Sequence, residues 1–195
     1  MGKKSNTKAR IVSAAWKLFY EQGYEDTTVE DIVAASDTSK GSFYHYFEGK
    51  DALLSALSVL FDEEYEMLRH QMPAEMDAVD KLVFLNRELF TMIDNTVSPE
   101  LMGKLFSSQL VTRGDKHLLN RERTYFKLLQ QITREGQQRG QLRTDLSANE
   151  IVKAYAMFER GLMYDWCLCN GEYALARYAG QMMPMFLQGY RPAKK

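Results

Sequence analysis

Proline occurs only four times in 195 residues, at positions 73, 99, 184 and 192. The long tracts between them repeat their apolar residues at intervals of three and four, the period of a helix that buries one face. Ile11, Ala14, Ala15, Leu18 and Phe19 set the pattern, and Gly23 stands where a helix C-cap belongs. The chain reads as all-α. A first helix is expected over about residues 7–22. A short second one follows Thr27-Thr28-Val29-Glu30-Asp31, where either Thr27 with Glu30 or Thr28 with Asp31 can close a capping box. Ser39 can cap a third over 40–47, and a fourth runs from Asp51 to about Gln71.

Beyond Pro73 the short punctuated helices give way to long ones. Spacing places them at about 76–95, 99–111, 115–138, 147–169 and 172–188, with breaks near Gly114, Gly140 and Gly171. Ser98-Pro99-Glu100 orders a cap, an N1 proline and an acid, and Ser147-Ala148-Asn149-Glu150 fits a capping box. Pro184 lacks an N–H and is expected to kink or end the last helix near Met183. About nine helices fill the chain. With no Gly/Ser-rich linker, the division is expected inside the fourth helix, giving an N-terminal part, 1–52, and a C-terminal part, 53–195.

Charge and composition exclude several function classes. Lys plus Arg total 25 against 26 Asp plus Glu, so no overall basicity advertises a polyanion partner, and a nucleic-acid role must rest on a local site. The longest apolar run, Met182 to Leu187, falls far short of the ~18 residues of a spanning helix, so no membrane partner is expected. The first 20 residues carry five bases and no acid before Glu21, yet Ile11 to Tyr20 is amphipathic and unlike the core of a signal peptide, so the expected location is cytoplasmic. Cys167 and Cys169, two apart on a helix, point to opposite faces and cannot share a metal; buried structural thiols are the expected reading. His45, His70 and His117 are scattered, and neither a metal-ligand spacing, a phosphate-binding glycine loop nor a nucleophile elbow occurs. No cofactor, no metal and no enzymatic activity are expected.

The informative segment is Thr27 to Lys50. Two short helices joined by a tight turn and packed on a longer one are the parts of a helix-turn-helix, whose second helix enters the major groove. At about 100° per residue, Phe43, Tyr46 and Phe47 share one face of the third helix, and Gly41, Ser42, Tyr44 and His45 lie on or flank the other. Gly41 lets the backbone approach a groove, Ser42 can bond a base edge or phosphate, and Tyr44 and His45 can donate to phosphate oxygens. Lys40 and Ser39 stand at its start, with Thr28 and Lys50 able to grip the backbone on either side. Residues 1–50 hold seven bases and seven acids, but five of the bases precede Glu21.

Gly23-Tyr24, Thr27-Thr28-Val29-Glu30-Asp31-Ile32, Ser39-Lys40-Gly41-Ser42-Phe43-Tyr44-His45-Tyr46-Phe47 and Lys50-Asp51 with Leu53-Leu54 closely resemble the N-terminal signature of the TetR (tetracycline repressor) family. The likeness spans about 50 residues. It implies a homodimeric, ligand-responsive transcriptional repressor in which Thr28, Lys40, Gly41, Ser42, Tyr44, His45 and Lys50 stand where family members touch DNA. The turn departs from the family's usual Ala-Gly-Val-Ser, reading Ser36-Asp37-Thr38-Ser39. Asp tolerates a left-handed conformation better than most residues, so the turn is expected to survive at some cost.

The rest of the chain resembles the family in layout only, and its candidate residues come from periodicity. A small apolar or aromatic effector is expected among Phe61, Tyr65, Phe84, Arg87, Met102, Phe106, His117, Tyr125, Met157 and Arg160. The last two long helices carry Tyr155, Phe158 and Leu162, then Leu175, Tyr178 and Met182, faces too apolar for solvent; the resemblance implies that they form the dimer interface. The reading is thus a repressor that binds a palindromic operator as a homodimer and is released by its effector. Two rivals stand beside it: an activator or architectural DNA-binding protein with the same reading head, and a helical enzyme or interaction module that does not bind DNA.

Overall fold

The computed structural model describes residues 2–111 and 116–192, with the backbone alone for residues 2–6. The break expected near Gly114 lies outside the described residues. Nine α-helices and two short 3-10 segments make up the described structure, which contains no strand. In order they are α1 (Gly2–Gln22), α2 (Val29–Ala35), α3 (Lys40–Tyr46), α4 (Ala56–Gln71), α5 (Ala78–Thr96), α6 (Pro99–Val111), α7 (Thr124–Gln138), α8 (Ala148–Leu168) and α9 (Leu175–Gln188). The 3-10 segments, Lys50–Ser55 and His117–Leu119, precede α4 and α7.

The chain divides into two compact units. The first is residues 1–59 together with 96–118, the second 60–95 together with 119–195, so the chain crosses from one to the other within α4. In the first unit Ile11, Ala15 and Phe19 of α1 close over Ile32, Phe43 and Phe47, all buried, as the three-and-four spacing predicts. Phe19 meets Tyr24 at 4.9 Å between ring centroids and Phe43 meets Phe47 at 5.7 Å. Helix α6 belongs to this unit, packing Leu101, Met102 and Leu105 inward and contacting the 3-10 segment Lys50–Ser55.

The second unit is built on the antiparallel neighbours α7 and α8, joined by α5, α9 and most of α4. Gly136 of α7 is where two helices meet most closely: a Cβ there would lie 2.5 Å from the Cβ of Ala78 and 2.9 Å from a methyl of Leu142. At its centre Glu159 is wholly buried, its carboxyl accepting hydrogen bonds from Tyr125 Oη at 2.6 Å and Asn86 Nδ2 at 2.9 Å. Burial pushes the Glu159 carboxyl up from its ordinary range, more than these donors hold it down. Beside it, Tyr65 Oη and Asn86 Oδ1 are buried with no hydrogen-bond partner among the described residues.

Helix boundaries follow local chemistry where it exists. Ser147 and Glu150 close the capping box that starts α8, and Ser98 Oγ accepts from Leu101 N–H at 3.2 Å ahead of α6. Two starts differ from expectation. Helix α7 begins at Thr124 rather than 115, because Asn120 accepts from the amides of Glu122 and Arg123 and turns the chain. Helix α9 begins at Leu175 rather than 172, where Asp94 of α5 accepts from the amides of Leu175 and Ala176 at 3.0 and 2.9 Å. Pro184 does not end α9, which continues to Gln188. At the other end of the chain α1 starts five residues before the expected Thr7, since nothing in Lys3-Lys4-Ser5-Asn6 breaks it.

Candidate nucleic-acid interface

Two short helices and the turn between them are fixed by bonds that can be followed residue by residue. Thr28 caps α2: its Oγ1 accepts from Asp31 N–H at 3.1 Å, while Asp31 Oδ2 accepts from Thr28 N–H at 2.9 Å and from its hydroxyl at 2.6 Å. Of the two boxes the sequence allows, the second forms. The helix ends in a Schellman motif, with Thr38 N–H on Val33 O at 3.1 Å, Asp37 N–H on Ala34 O at 3.2 Å, and Asp37 at φ +48°. Asp37 therefore takes the left-handed position expected of it.

Arg10 braces that turn from α1. Its guanidinium donates to Ser36 O at 2.6 Å, to Asp37 O at 2.5 Å and to Asp37 Oδ2 at 3.1 Å. The contact joins residues 27 apart, so the sequence offers only a base among the N-terminal bases to suggest it. Within the turn, Ser36 and Thr38 hydroxyls bond at 2.8 Å.

Helix α3 starts at Ser39, whose Oγ accepts from Ser42 N–H at 3.1 Å and lies 3.0 Å from Ser42 Oγ. Phe43 and Phe47 face inward, leaving Gly41, Tyr44 and His45 exposed on the outer side with Ser42 half-buried. Tyr44 is 55 % exposed although its ring packs edge-on against Phe43. His45 packs edge-on against Tyr46 at 4.8 Å. A Cβ on Gly41 would meet only Ser39 Oγ, at 3.8 Å, so nothing in the chain's own packing requires glycine there. Glycine in a helix interior costs about 1 kcal/mol relative to alanine, and the space it keeps open lies outside the protein.

The cations are less free than the sequence suggests. Lys40 pairs with Glu30 of α2 at 2.5 Å, an exposed bridge that raises the lysine's pKa and lowers the carboxyl's. Lys50 donates to Tyr24 O at 2.6 Å and Glu25 O at 3.3 Å, with its ammonium 4.3 Å from the centre of the Tyr24 ring. Asp51 in turn accepts from Tyr24 Oη, which together with burial pushes the Tyr24 phenol well up. Lys104 of α6 pairs with Glu25. Thr28, Ser39, Lys40, Gly41, Ser42, Tyr44 and His45 thus lie along α3 and the start of α2, while Lys50 sits behind them on the Tyr24 corner.

The other candidates separate between the units. Met102, Phe106 and His117 fall in the first, and Phe61, Tyr65, Phe84, Arg87, Tyr125, Met157 and Arg160 in the second. Phe61, Tyr65 and Tyr125 are buried, whereas Arg87 and Met157 are exposed. Of the residues expected at an interface, Tyr155, Leu162 and Leu175 are buried within their own unit, Tyr155 donating to Leu82 O at 2.9 Å. Tyr178 is 41 % exposed, and Phe158 and Met182 are half-buried. Periodicity missed Tyr164, Leu168 and Met185, all more than half exposed on the same two helices. Cys167 is half-buried, and burial pushes its thiol up to about 11, away from reactive thiolate.

Residues 11–57 match the family model described as bacterial regulatory proteins, tetR family. The HTH-type transcriptional regulator UidR of Escherichia coli (strain K12) is 29 % identical over 146 residues, 72 % of this chain and 71 % of the relative. The HTH-type transcriptional repressor DhaR of Mycobacterium sp. (strain GP1) is 29 % identical over 150 residues, 74 % of each. Among solved structures, FadR of Thermus thermophilus, a TetR-family repressor in complex with lauroyl-CoA, superposes with a TM-score of 0.75 at 23 % identity, over 96 % of this chain and 97 % of that one. A TetR-family regulator of Pectobacterium atrosepticum gives 0.76 at 17 % identity over the whole of both. At these identities the solved structures establish the fold.

Proposed function

We propose that this chain, a transcriptional regulator whose N-terminal domain belongs to the tetR family of bacterial regulatory proteins, represses transcription in the cytoplasm as a homodimer on a palindromic operator. The observation that carries the reading is the outer face of α3: an interior glycine with open space above it, flanked by exposed hydroxyl, phenol and imidazole groups. Such a face offers donors and acceptors to base edges and phosphates at close approach. Lys40 adds a charge that can leave Glu30 for a phosphate.

The reading head occupies residues 1–52, and the effector-binding and dimerisation region 53–195. Dimerisation is supported by an apolar stripe left in solvent on α8 and α9, where Met157, Tyr164, Leu168, Tyr178 and Met185 are each at least 41 % exposed and Phe158 stacks on Phe186 at 4.2 Å. A two-fold dimer presents two α3 helices to half-sites about 34 Å apart or a multiple of that. An effector acts by binding one conformer of the C-terminal region better than the other, its differential affinity supplying the energy of release. Segment 96–118 belongs to the same compact unit as the head and holds Glu25 through Lys104, so displacing it disturbs the head's own packing.

Selection of bound duplexes from a random pool, followed by titration of the winner, tests the reading. The expected winner is a palindrome bound by a dimer, with affinity falling as salt rises. Tyr44→Ala is expected to weaken binding about tenfold with the dimer intact. A folded dimer that enriches no sequence would refute the reading.

A further inference from the structure

Helix α8 carries three faces. Ile151, Tyr155, Glu159, Leu162 and Trp166 point into the core of the second unit, and Met157, Phe158, Gly161, Tyr164 and Leu168 form the exposed apolar stripe. The third, Asn149, Val152, Lys153, Ala156 and Arg160, follows i, i+3, i+4, i+7 and i+11 spacing and lines a cleft of about 300 Å3. Leu119, Arg121 and Phe126 close it from the opposite side. Its floor is apolar, since Phe126, Val152 and Ala156 are buried. Its polar lining is one amide and three cations, with no carboxylate.

That balance is unusual in this chain, where 25 bases face 26 acids and most half-buried cations are held by a carboxylate or carbonyl. Arg121, Lys153 and Arg160 form no ion pair with another described residue. The neighbouring acids are already committed, Glu122 to Lys127 at 3.0 Å and Glu150 to the Ser147 capping box. Asn149 is also engaged, accepting from Gln130 at 3.0 Å, which fixes one wall. Three like charges around one apolar floor repel each other, and an anion placed among them removes that repulsion while making charge-assisted hydrogen bonds.

We propose that the cleft between the start of α7 and the outer face of α8 binds an anionic amphiphile, a carboxylate-bearing small molecule with a compact apolar body. The acid group lies between Lys153, Arg160 and Arg121, and the body lies on Phe126, Val152 and Ala156. A cleft of this size holds a small molecule rather than a polymer. Arg160 also connects the cleft to the core: it adjoins Glu159 in the chain, and its charge favours the ionised form of that buried carboxyl. Neutralising Arg160 therefore reaches the Glu159, Tyr125 and Asn86 cluster. Assigning this ligand as the effector rests on the regulator reading above; the binding site itself does not.

Isothermal titration of the full-length chain with 2-naphthoate, and with its uncharged counterpart 2-naphthalenemethanol, tests the site. The acid is expected to bind at least tenfold more tightly, and its affinity to fall as salt is raised. Lys153→Gln with Arg121→Gln, both at exposed positions, is expected to weaken the acid at least tenfold without moving the melting temperature. Arg160→Gln gives the same direction from the other side of the cleft. Equal binding of acid and alcohol, unchanged affinity in the variants, or no binding of the acid at millimolar concentration would overturn the site. Release of the selected operator by 2-naphthoate would identify the site with the effector site. Binding of the acid without release would uphold the cleft and exclude it as the route to the operator.

Discussion

At the scale of single residues, two positions carry opposite messages about where free energy is set aside. Gly41 has room for a methyl group and sits inside a helix, so Gly41→Ala is expected to raise stability by up to about 1 kcal/mol while weakening operator binding. Thermal melts and operator titration on one preparation check both halves. Loss of stability on that substitution would mean that the glycine serves the fold instead. Glu159 is a buried acid whose pKa is raised in the folded state. As pH climbs past the unfolded value of about 4.3, the unfolded chain releases this proton first. Stability is therefore lost as pH rises toward and through the folded pKa. Glu159→Gln keeps an acceptor for Tyr125 and removes the titration, so its stability relative to wild type is expected to grow between pH 5 and pH 8. Urea unfolding at the two pH values measures the difference, and a constant gap would refute the assignment.

At the scale of elements, the helices separate by how their first amides are satisfied. Helices α2, α3 and α8 are capped by their own Thr28, Ser39 and Ser147, and these starts are legible because the cap lies next to the helix. Helices α7 and α9 are preceded by Arg123 and Ala174, which supply no cap bond. Their amides are met by carboxylates far away in the chain, Asp62 on Tyr125 at 3.2 Å and Asp94 on Leu175 and Ala176. Nothing in local spacing reveals such a loan. Asp94→Ala is expected to cost about 1 to 2 kcal/mol by leaving both α9 amides without their acceptor, and chemical denaturation checks it. The helix ends are more regular: α7 closes with Gly140 and α8 with Asn170 in the left-handed position, each in a Schellman motif like that of α2.

At the scale of the molecule, the exposed stripe on α8 and α9 is too apolar to be left in water by a stable monomer. Met157→Glu with Met185→Glu is expected to shift the chain from dimer to monomer in sedimentation velocity. Both side chains are more than half exposed, so the fold of each subunit is expected to persist. The monomer should then lose operator affinity through the absence of its second half-site, although α3 is untouched. A dimer that survives both charges would place the interface elsewhere. Among the described residues no helix is long and apolar enough to cross a membrane, so this stripe is not a spanning segment.

The sequence by itself determined the helical class, most helix starts, and the reading head. These depend on interactions within about four residues, namely the periodicity of one buried face, caps adjacent to their helices, and a left-handed Asp37 where the turn demands it. The two faces of α3 could be told apart for the same reason. Only the tertiary structure decided which cations are available, because Lys50, Lys40 and Arg10 are engaged by Tyr24, Glu30 and the turn at Ser36-Asp37. It also separated the apolar positions of α8 and α9 into buried Tyr155 and Leu175 and exposed Met157 and Met185, a choice periodicity cannot make for a helix that is apolar on more than one side. The buried Glu159 and the cationic cleft beside it were unreadable in advance. Their chemistry arises from groups tens of residues apart that only packing brings together.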